Sequence, residues 1–163
     1  MLKKWSAGFT LIELMVVIAI IAILTGLVGS NYLTSRARAR DAERKNDLRQ
    51  IQSALEMYHN DHSHYPESGI GTIQSLDWGE DAFVDDTNND TIYMPVLPGD
   101  PAGGTQYYYE VNDSNTKYRL CAFIENEEDA DIQMIYPPPK DCGGPCNYCV
   151  NSSNTTNEEE WDD

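Results

Sequence analysis

The chain has 163 residues and a formal net charge of -16 at pH 7, a length that suits one domain plus an anchor rather than two full domains. Beyond Arg49, three bases (Lys117, Arg119 and Lys140) stand against 23 acidic residues. Such a surface repels phosphate, so direct nucleic-acid binding is not expected, whereas divalent cations would be attracted to it.

The N-terminal part of the chain is apolar. Lys3 and Lys4 precede it, and every residue from Leu14 to Leu24 is apolar. A helix of about 20 such residues spans roughly 30 Å of hydrocarbon. We therefore predict a membrane-spanning and assembly helix over residues 9–29, with the lysines on the cytoplasmic side and the rest of the chain outside the cytoplasm.

Glu13 lies inside this apolar segment. A carboxylate there costs at least a few kcal/mol unless it is paired, and a plain membrane anchor gains nothing from it. If the chain were cut after Gly8, Phe9 would carry a new ammonium group. Within one chain the two groups are poorly placed, but between staggered neighbouring helices they can pair and fix the axial register. The pattern thus indicates assembly.

The run Gly8-Phe9-Thr10-Leu11-Ile12-Glu13-Leu14 after a short basic leader resembles the class III signal of type IV pilins and of type II secretion pseudopilins. The resemblance implies a leader peptide at residues 1–8, cut between Gly8 and Phe9 by a prepilin peptidase that also methylates the Phe9 amine. It further implies a polymer of this chain with itself and related pilins, built by an inner-membrane assembly machinery. An ordinary signal peptide, cut within or after the apolar run, is the alternative, and Glu13 argues against it.

The rest of the chain predicts an α+β domain at residues 30–136, in which a long helix packs on a small antiparallel sheet. Leu48, Ile51, Leu55 and Tyr58 form a one-sided apolar stripe, so the helix should continue to about residue 60, before Pro66. The opposite face should be charged, with Arg44, Lys45, Asp47 and Arg49.

Three strands are expected after a loop-rich stretch at residues 67–106, namely 107–111, 117–124 and 132–136. The loop holds Leu97-Pro98-Gly99-Asp100-Pro101, which resembles the segment joining loop to sheet in major pseudopilins and related Gram-positive pilins. Residues 137–163 form a Cys-rich and acidic tail, which we expect to be disordered from Asn151 onward.

Two acidic segments are candidates for calcium binding. Asp86, Asn88 and Asp90 place oxygen ligands at alternate positions, although the glycine and glutamate of a complete EF-hand loop are missing. Asp129 and Asp131 lie in a segment that resembles the calcium-carrying loop of major pseudopilins, without that loop's glycine-rich part. For both segments the alternative is a solvated acidic loop. His59, His62 and His64 are better explained as a polar helix end than as a metal site.

Four cysteines, Cys121, Cys142, Cys146 and Cys149, lie in the C-terminal part of the chain. Outside the cytoplasm two disulfides are expected, with three connectivities open, whereas a cytosolic chain would suggest zinc. No enzyme signature is found in the sequence. The expected function is a structural filament subunit, of a type IV pilus, a competence pilus or a secretion pseudopilus. A non-polymerising, membrane-tethered binding module is the alternative.

Overall fold

The structure is a computed structural model that describes residues 8–85, 91–104, 106–133 and 142–154, including their side chains except those of residues 27–31. The chain forms two compact units, one up to Arg36 and one from Ala37 onward. The boundary falls inside a helix, α1 (Leu11–His62). The long helix predicted from the sequence is therefore confirmed.

The end of α1 is set by its backbone. Ser63 adopts a left-handed φ of 63°, and its N–H donates to the carbonyl of His59 at 2.7 Å. A left-handed residue directly after the last turn is a common helix stop, usually filled by glycine. Pro66 follows three residues later, so the helix ends slightly before the proline that predicted its limit.

Five strands are found among the described residues. β1 (Phe83–Asp85) and β2 (Thr91–Met94) form an antiparallel pair within the stretch that the sequence predicted to be loop. β3 (Tyr108–Val111), β4 (Tyr118–Ala122) and β5 (Tyr148–Asn151) form an antiparallel sheet in the order β3-β4-β5. All five residues of the central strand β4 are buried. The predicted α+β class and its first two sheet strands are confirmed.

The third strand of this sheet corrects the prediction. Ile132 and Gln133 are not in a strand, and residues 134–136 lie outside the described residues. The free edge of β4 is instead covered by β5, which lies in the segment predicted to be a tail. Tyr148 and Val150 are residues of high β propensity, and the pairing of β5 with β4 satisfies the backbone of β4. Order extends at least to Ser152, which is buried.

The main core lies between α1 and the two sheets. The predicted stripe is confirmed, since Leu48, Ile51 and Leu55 are fully buried and Tyr58 nearly so. Aromatic side chains supply much of the opposing surface, and the fully buried tyrosines are Tyr107, Tyr109 and Tyr118.

The prediction that the charged face is exposed is wrong for two of its four residues, because Arg44 and Asp47 are buried. Arg44 lies four residues before Leu48 and so shares the face of the stripe. The buried face of α1 therefore extends one turn before the apolar stripe, and the buried positions in that turn hold charged residues.

Candidate assembly site and cation-binding sites

The predicted processing site lies immediately before α1. Residues 8–10 belong to no helix or strand and are exposed. A side chain built on Gly8 would meet nothing within 4 Å, and Phe9 is 83% exposed. The Gly8–Phe9 bond thus lies in an exposed, irregular segment, and cleavage at this bond stays a prediction.

Glu13 closes the first turn of α1. Its carboxylate accepts hydrogen bonds from the backbone N–H of Thr10 at 2.8 Å and from the Thr10 hydroxyl at 2.7 Å. The backbone N–H of Glu13 is 3.3 Å from the same hydroxyl. This is a capping box, in which a threonine and a glutamate three residues later satisfy each other's backbone donors. Glu13 therefore caps the helix of its own chain. The sequence analysis missed this role, although the Thr-x-x-Glu spacing indicates it.

The beginning of α1 presents an apolar surface. Its large hydrophobic side chains from Leu11 to Leu24 are each between 46% and 76% exposed. Within the helical residues whose side chains are described, no stretch is long and apolar enough to cross a membrane. The membrane span predicted for residues 9–29 therefore rests on the sequence.

A buried arginine joins three separate parts of the compact unit. The Arg44 side chain is completely buried. It forms a bidentate (two-pronged) pair with Asp100, in which Nε donates to Oδ2 at 2.7 Å and Nη2 donates to Oδ1 at 2.9 Å. Its Nη1 donates at 2.8 Å to both Asp41 and Glu125. We call Asp41, Arg44, Asp100 and Glu125 the Arg44 cluster. A buried guanidinium is tolerated when its donors are paired in this way.

The Arg44 cluster explains the Leu97–Pro101 segment. Asp100 supplies the two-pronged partner of Arg44, and Leu97 is fully buried. Gly99 lies against Gly79, so that a Cβ added at Gly99 would meet the Gly79 Cα at 3.1 Å. The glycine thus permits the close backbone approach that brings Asp100 to the helix.

The acidic segment, which we define as residues 125–131, is fastened along α1. Arg40 donates from Nε to Glu125 at 2.7 Å, and hydrogen bonding to Arg40 lowers the pKa of Glu125 to about 2. Asp41 accepts hydrogen bonds from the backbone N–H groups of Glu125 at 3.0 Å and of Asn126 at 2.9 Å. The backbone of the segment is therefore fixed where it leaves the sheet.

In one of the two predicted calcium-binding segments, the carboxylates bind a lysine side chain. The Lys45 Nζ lies 2.6 Å from Asp129 Oδ1 and 2.7 Å from Asp131 Oδ2. Burial lowers the pKa of Lys45, but the two carboxylates more than offset this effect and the pKa is raised. The same contact lowers the pKa of Asp129. Calcium binding at these two residues stays a prediction from the sequence, and the bound lysine argues against it.

The second calcium candidate, Asp86, Asn88 and Asp90, lies outside the described residues. The described residues contain no group of three His, Cys, Asp or Glu side chains arranged to hold a metal ion. Of the histidines, His62 binds the buried Asp85 at 2.6 Å and stacks on Tyr58.

The four cysteines form two disulfides that lie together. Cys121 on β4 joins Cys149, its direct cross-strand partner on β5, and Cys142 joins Cys146. One of the three open connectivities is thereby selected. All four are buried, against the half-buried Tyr108 and Phe123. The disulfides pack on the sheet as a second small core, which fastens β5 to the rest of the unit.

A helix that is apolar and exposed at its start and packs on an antiparallel sheet at its end places the chain in the pilin-like class of proteins. The family profile described as "Prokaryotic N-terminal methylation motif" matches residues 6–29. The profile described as "Type II secretion system (T2SS), protein G" matches residues 31–133, more than half of the chain. The chain therefore belongs to the type II secretion system protein G family.

Relatives with the name "Type II secretion system core protein G" support this assignment. The Aeromonas hydrophila protein is 34% identical over 103 residues, covering 63% of this chain and 72% of the relative. The Pectobacterium carotovorum protein is 39% identical over 101 residues, covering 61% and 64% respectively. The Klebsiella pneumoniae protein is 37% identical over 97 residues, covering 59% and 69%. No solved structure matches the chain significantly.

Proposed function

We propose that the chain is a structural subunit of a type II secretion pseudopilus. Residues 1–8 are removed by a prepilin peptidase, and the amine of Phe9 is methylated. Residues 9–29 anchor the protein in the inner membrane, with the compact unit outside the cytoplasm. Copies of the chain, together with related pilins, then polymerise through α1 on an inner-membrane assembly machinery.

The observation that carries this proposal is the exposed apolar surface at the start of α1. Eleven large hydrophobic side chains from Leu11 to Leu24 are between 46% and 76% exposed to solvent. Keeping apolar surface in water is unfavourable by about 25 cal/mol per Å². A bilayer can cover this surface before assembly, and neighbouring helices can cover it in a filament. A subunit that moves from one to the other needs a helix of this kind.

In the proposed filament Glu13 accepts a second partner. Its carboxylate has four lone-pair sites, and the bonds from Thr10 fall on one oxygen, Oε2. The Phe9 ammonium of a neighbouring copy can bind the other oxygen while the capping box stays intact. The pair sets the axial register between copies, because neither charge is stable alone in an apolar bundle.

The capping box gives a sharp test of this mechanism. Glu13→Gln keeps an oxygen for Thr10 and removes the charge, whereas Glu13→Leu removes both. We expect both variants to reach the membrane and both to fail in assembly, since an unpaired buried ammonium costs about 3–5 kcal/mol per subunit. The variants replace the native copy in the host, with membrane levels measured by fractionation and assembly by filament counts and secretion.

The Gln variant separates the two roles of Glu13. If Glu13→Gln assembles normally and Glu13→Leu does not, the defect arises from the loss of the helix cap, and the pairing mechanism is refuted. Thr10→Val serves as the matched control, because it weakens the capping box and leaves the carboxylate charged. We expect it to assemble.

A membrane-tethered binding module is the second candidate. The capping box favours it, because Glu13 then has an intrachain role that needs no neighbouring copy. In that case both Glu13 variants would function like the wild type, and electron microscopy of sheared surface material would show no filament containing this chain.

A further inference from the structure

A lysine from α1 lies in the middle of the acidic segment. Residues 125–131 carry five acidic side chains in seven positions, and such a density of like charge disfavours a compact loop. The Lys45 ammonium binds Asp129 and Asp131 at once, at 2.6 and 2.7 Å. The side chains of Lys45 and Asp129 are 12% and 20% exposed, so this contact is shielded from water, whereas the Asp131 side chain is 62% exposed.

The surroundings of Lys45 are built for a fixed cation. Its Nζ lies 5.4 Å from the centre of the Tyr148 ring on β5, a distance at which an aromatic face attracts an ammonium. The Asp129 carboxylate also accepts the backbone N–H of Asp131 at 2.9 Å, which fixes the two acids relative to each other. The ammonium is therefore bound by two carboxylates and one aromatic ring, contributed by two different parts of the chain.

A calcium ion does not fit beside this lysine. Calcium takes six to eight oxygen ligands at about 2.3–2.6 Å. Asp129 and Asp131 each give one oxygen to the ammonium, and a divalent cation placed against the same two carboxylates would be repelled by it. No set of three His, Cys, Asp or Glu side chains arranged to hold a metal ion occurs among the described residues, at this position or elsewhere.

We propose that Lys45 is a built-in cation of the acidic segment, which holds the segment on α1 and keeps divalent ions out. The protein then keeps this segment folded whether or not its surroundings supply calcium. The inference does not depend on the pseudopilus proposal, because it concerns the compact unit of a single chain.

The test removes the lysine and asks whether a calcium site appears. Calcium binding to the full-length protein in detergent is measured by isothermal titration calorimetry at constant ionic strength, for the wild type and Lys45→Met. We expect the variant to bind one more calcium ion per chain than the wild type. We also expect its melting temperature to rise in calcium by several degrees more than that of the wild type.

The comparison with the wild type removes the contribution of calcium sites elsewhere, including any at residues 86–90. Arg49→Met is the matched control, since Arg49 lies on the same helix, is exposed and donates from Nε to the Lys45 carbonyl at 3.0 Å. It should behave like the wild type. The double variant Lys45→Met/Asp131→Asn should lose the additional site. Lys45→Gln keeps part of the stem and serves if the methionine variant does not fold.

Two results would overturn the proposal. Equal calcium stoichiometry in the wild type and both lysine variants would show that the lysine excludes nothing. A wild-type site that is lost on Asp131→Asn would show that calcium displaces Lys45 and binds the segment itself.

Discussion

Replacing Arg44 tests whether the buried charges hold the compact unit together. Arg44→Met removes a fully buried guanidinium. The guanidinium makes four hydrogen bonds to the other members of the Arg44 cluster, two of them to Asp100. Methionine fills much of the same space, so the main effect is electrostatic. Asp100 is left as a buried carboxylate, 1% exposed, without its two-pronged partner.

The expected loss follows from that geometry. Removing one partner of a buried ion pair costs about 3–5 kcal/mol. For a domain of this size, each kcal/mol lowers the melting temperature by about 3–5 °C. The variant should therefore melt roughly 10–25 °C below the wild type. The measurement is thermal unfolding of the full-length protein in detergent, followed by near-ultraviolet circular dichroism of the buried tyrosines.

Two further variants make the result specific. Arg49→Met changes an exposed arginine of the same helix and should cost no more than about 0.5 kcal/mol. Arg44→Met/Asp100→Asn removes both charges of the two-pronged pair, so its loss should fall short of the sum of the single losses by about 1–3 kcal/mol. A loss below about 1 kcal/mol for Arg44→Met, or additive losses in the double variant, would refute the proposed role of the cluster.

Two other predictions concern acid stability and processing. Because Arg40 lowers the pKa of Glu125 from its ordinary 4.5 to about 2, the ionised carboxylate stabilises the fold fully above about pH 5, and this contribution is lost as pH falls toward 2. Asp129 acts in the same direction, while burial raises the pKa of Asp47 and opposes the trend. Melting temperature should thus fall between about pH 5 and pH 2, with a smaller slope for Glu125→Gln; equal slopes would contradict the assignment. Intact-mass spectrometry of the membrane form should find Phe9 as a singly methylated first residue, and any other start would exclude the class III signal.

The sequence alone determined the features that depend on local spacing. The period of Leu48, Ile51, Leu55 and Tyr58 fixed the helix and its buried face, because one face of a helix repeats every three to four residues. The motif at residues 8–14 indicated the family, and runs of β-forming residues on either side of a turn located β3 and β4. The capping box was also readable in principle, since Thr10 and Glu13 are three residues apart.

Only the tertiary structure decided which distant residues meet. Arg44 was assigned to the solvent because charge suggests exposure, and its burial depends on Asp100 and Glu125, which are 56 and 81 residues further along the chain. The pairing of β5 with β4 and the choice of disulfides likewise depend on chain segments that carry no local signal for each other. Lys45 lies between Asp129 and Asp131 for the same reason. A helix period specifies which face is buried, whereas the partners on that face are set by the path of the whole chain.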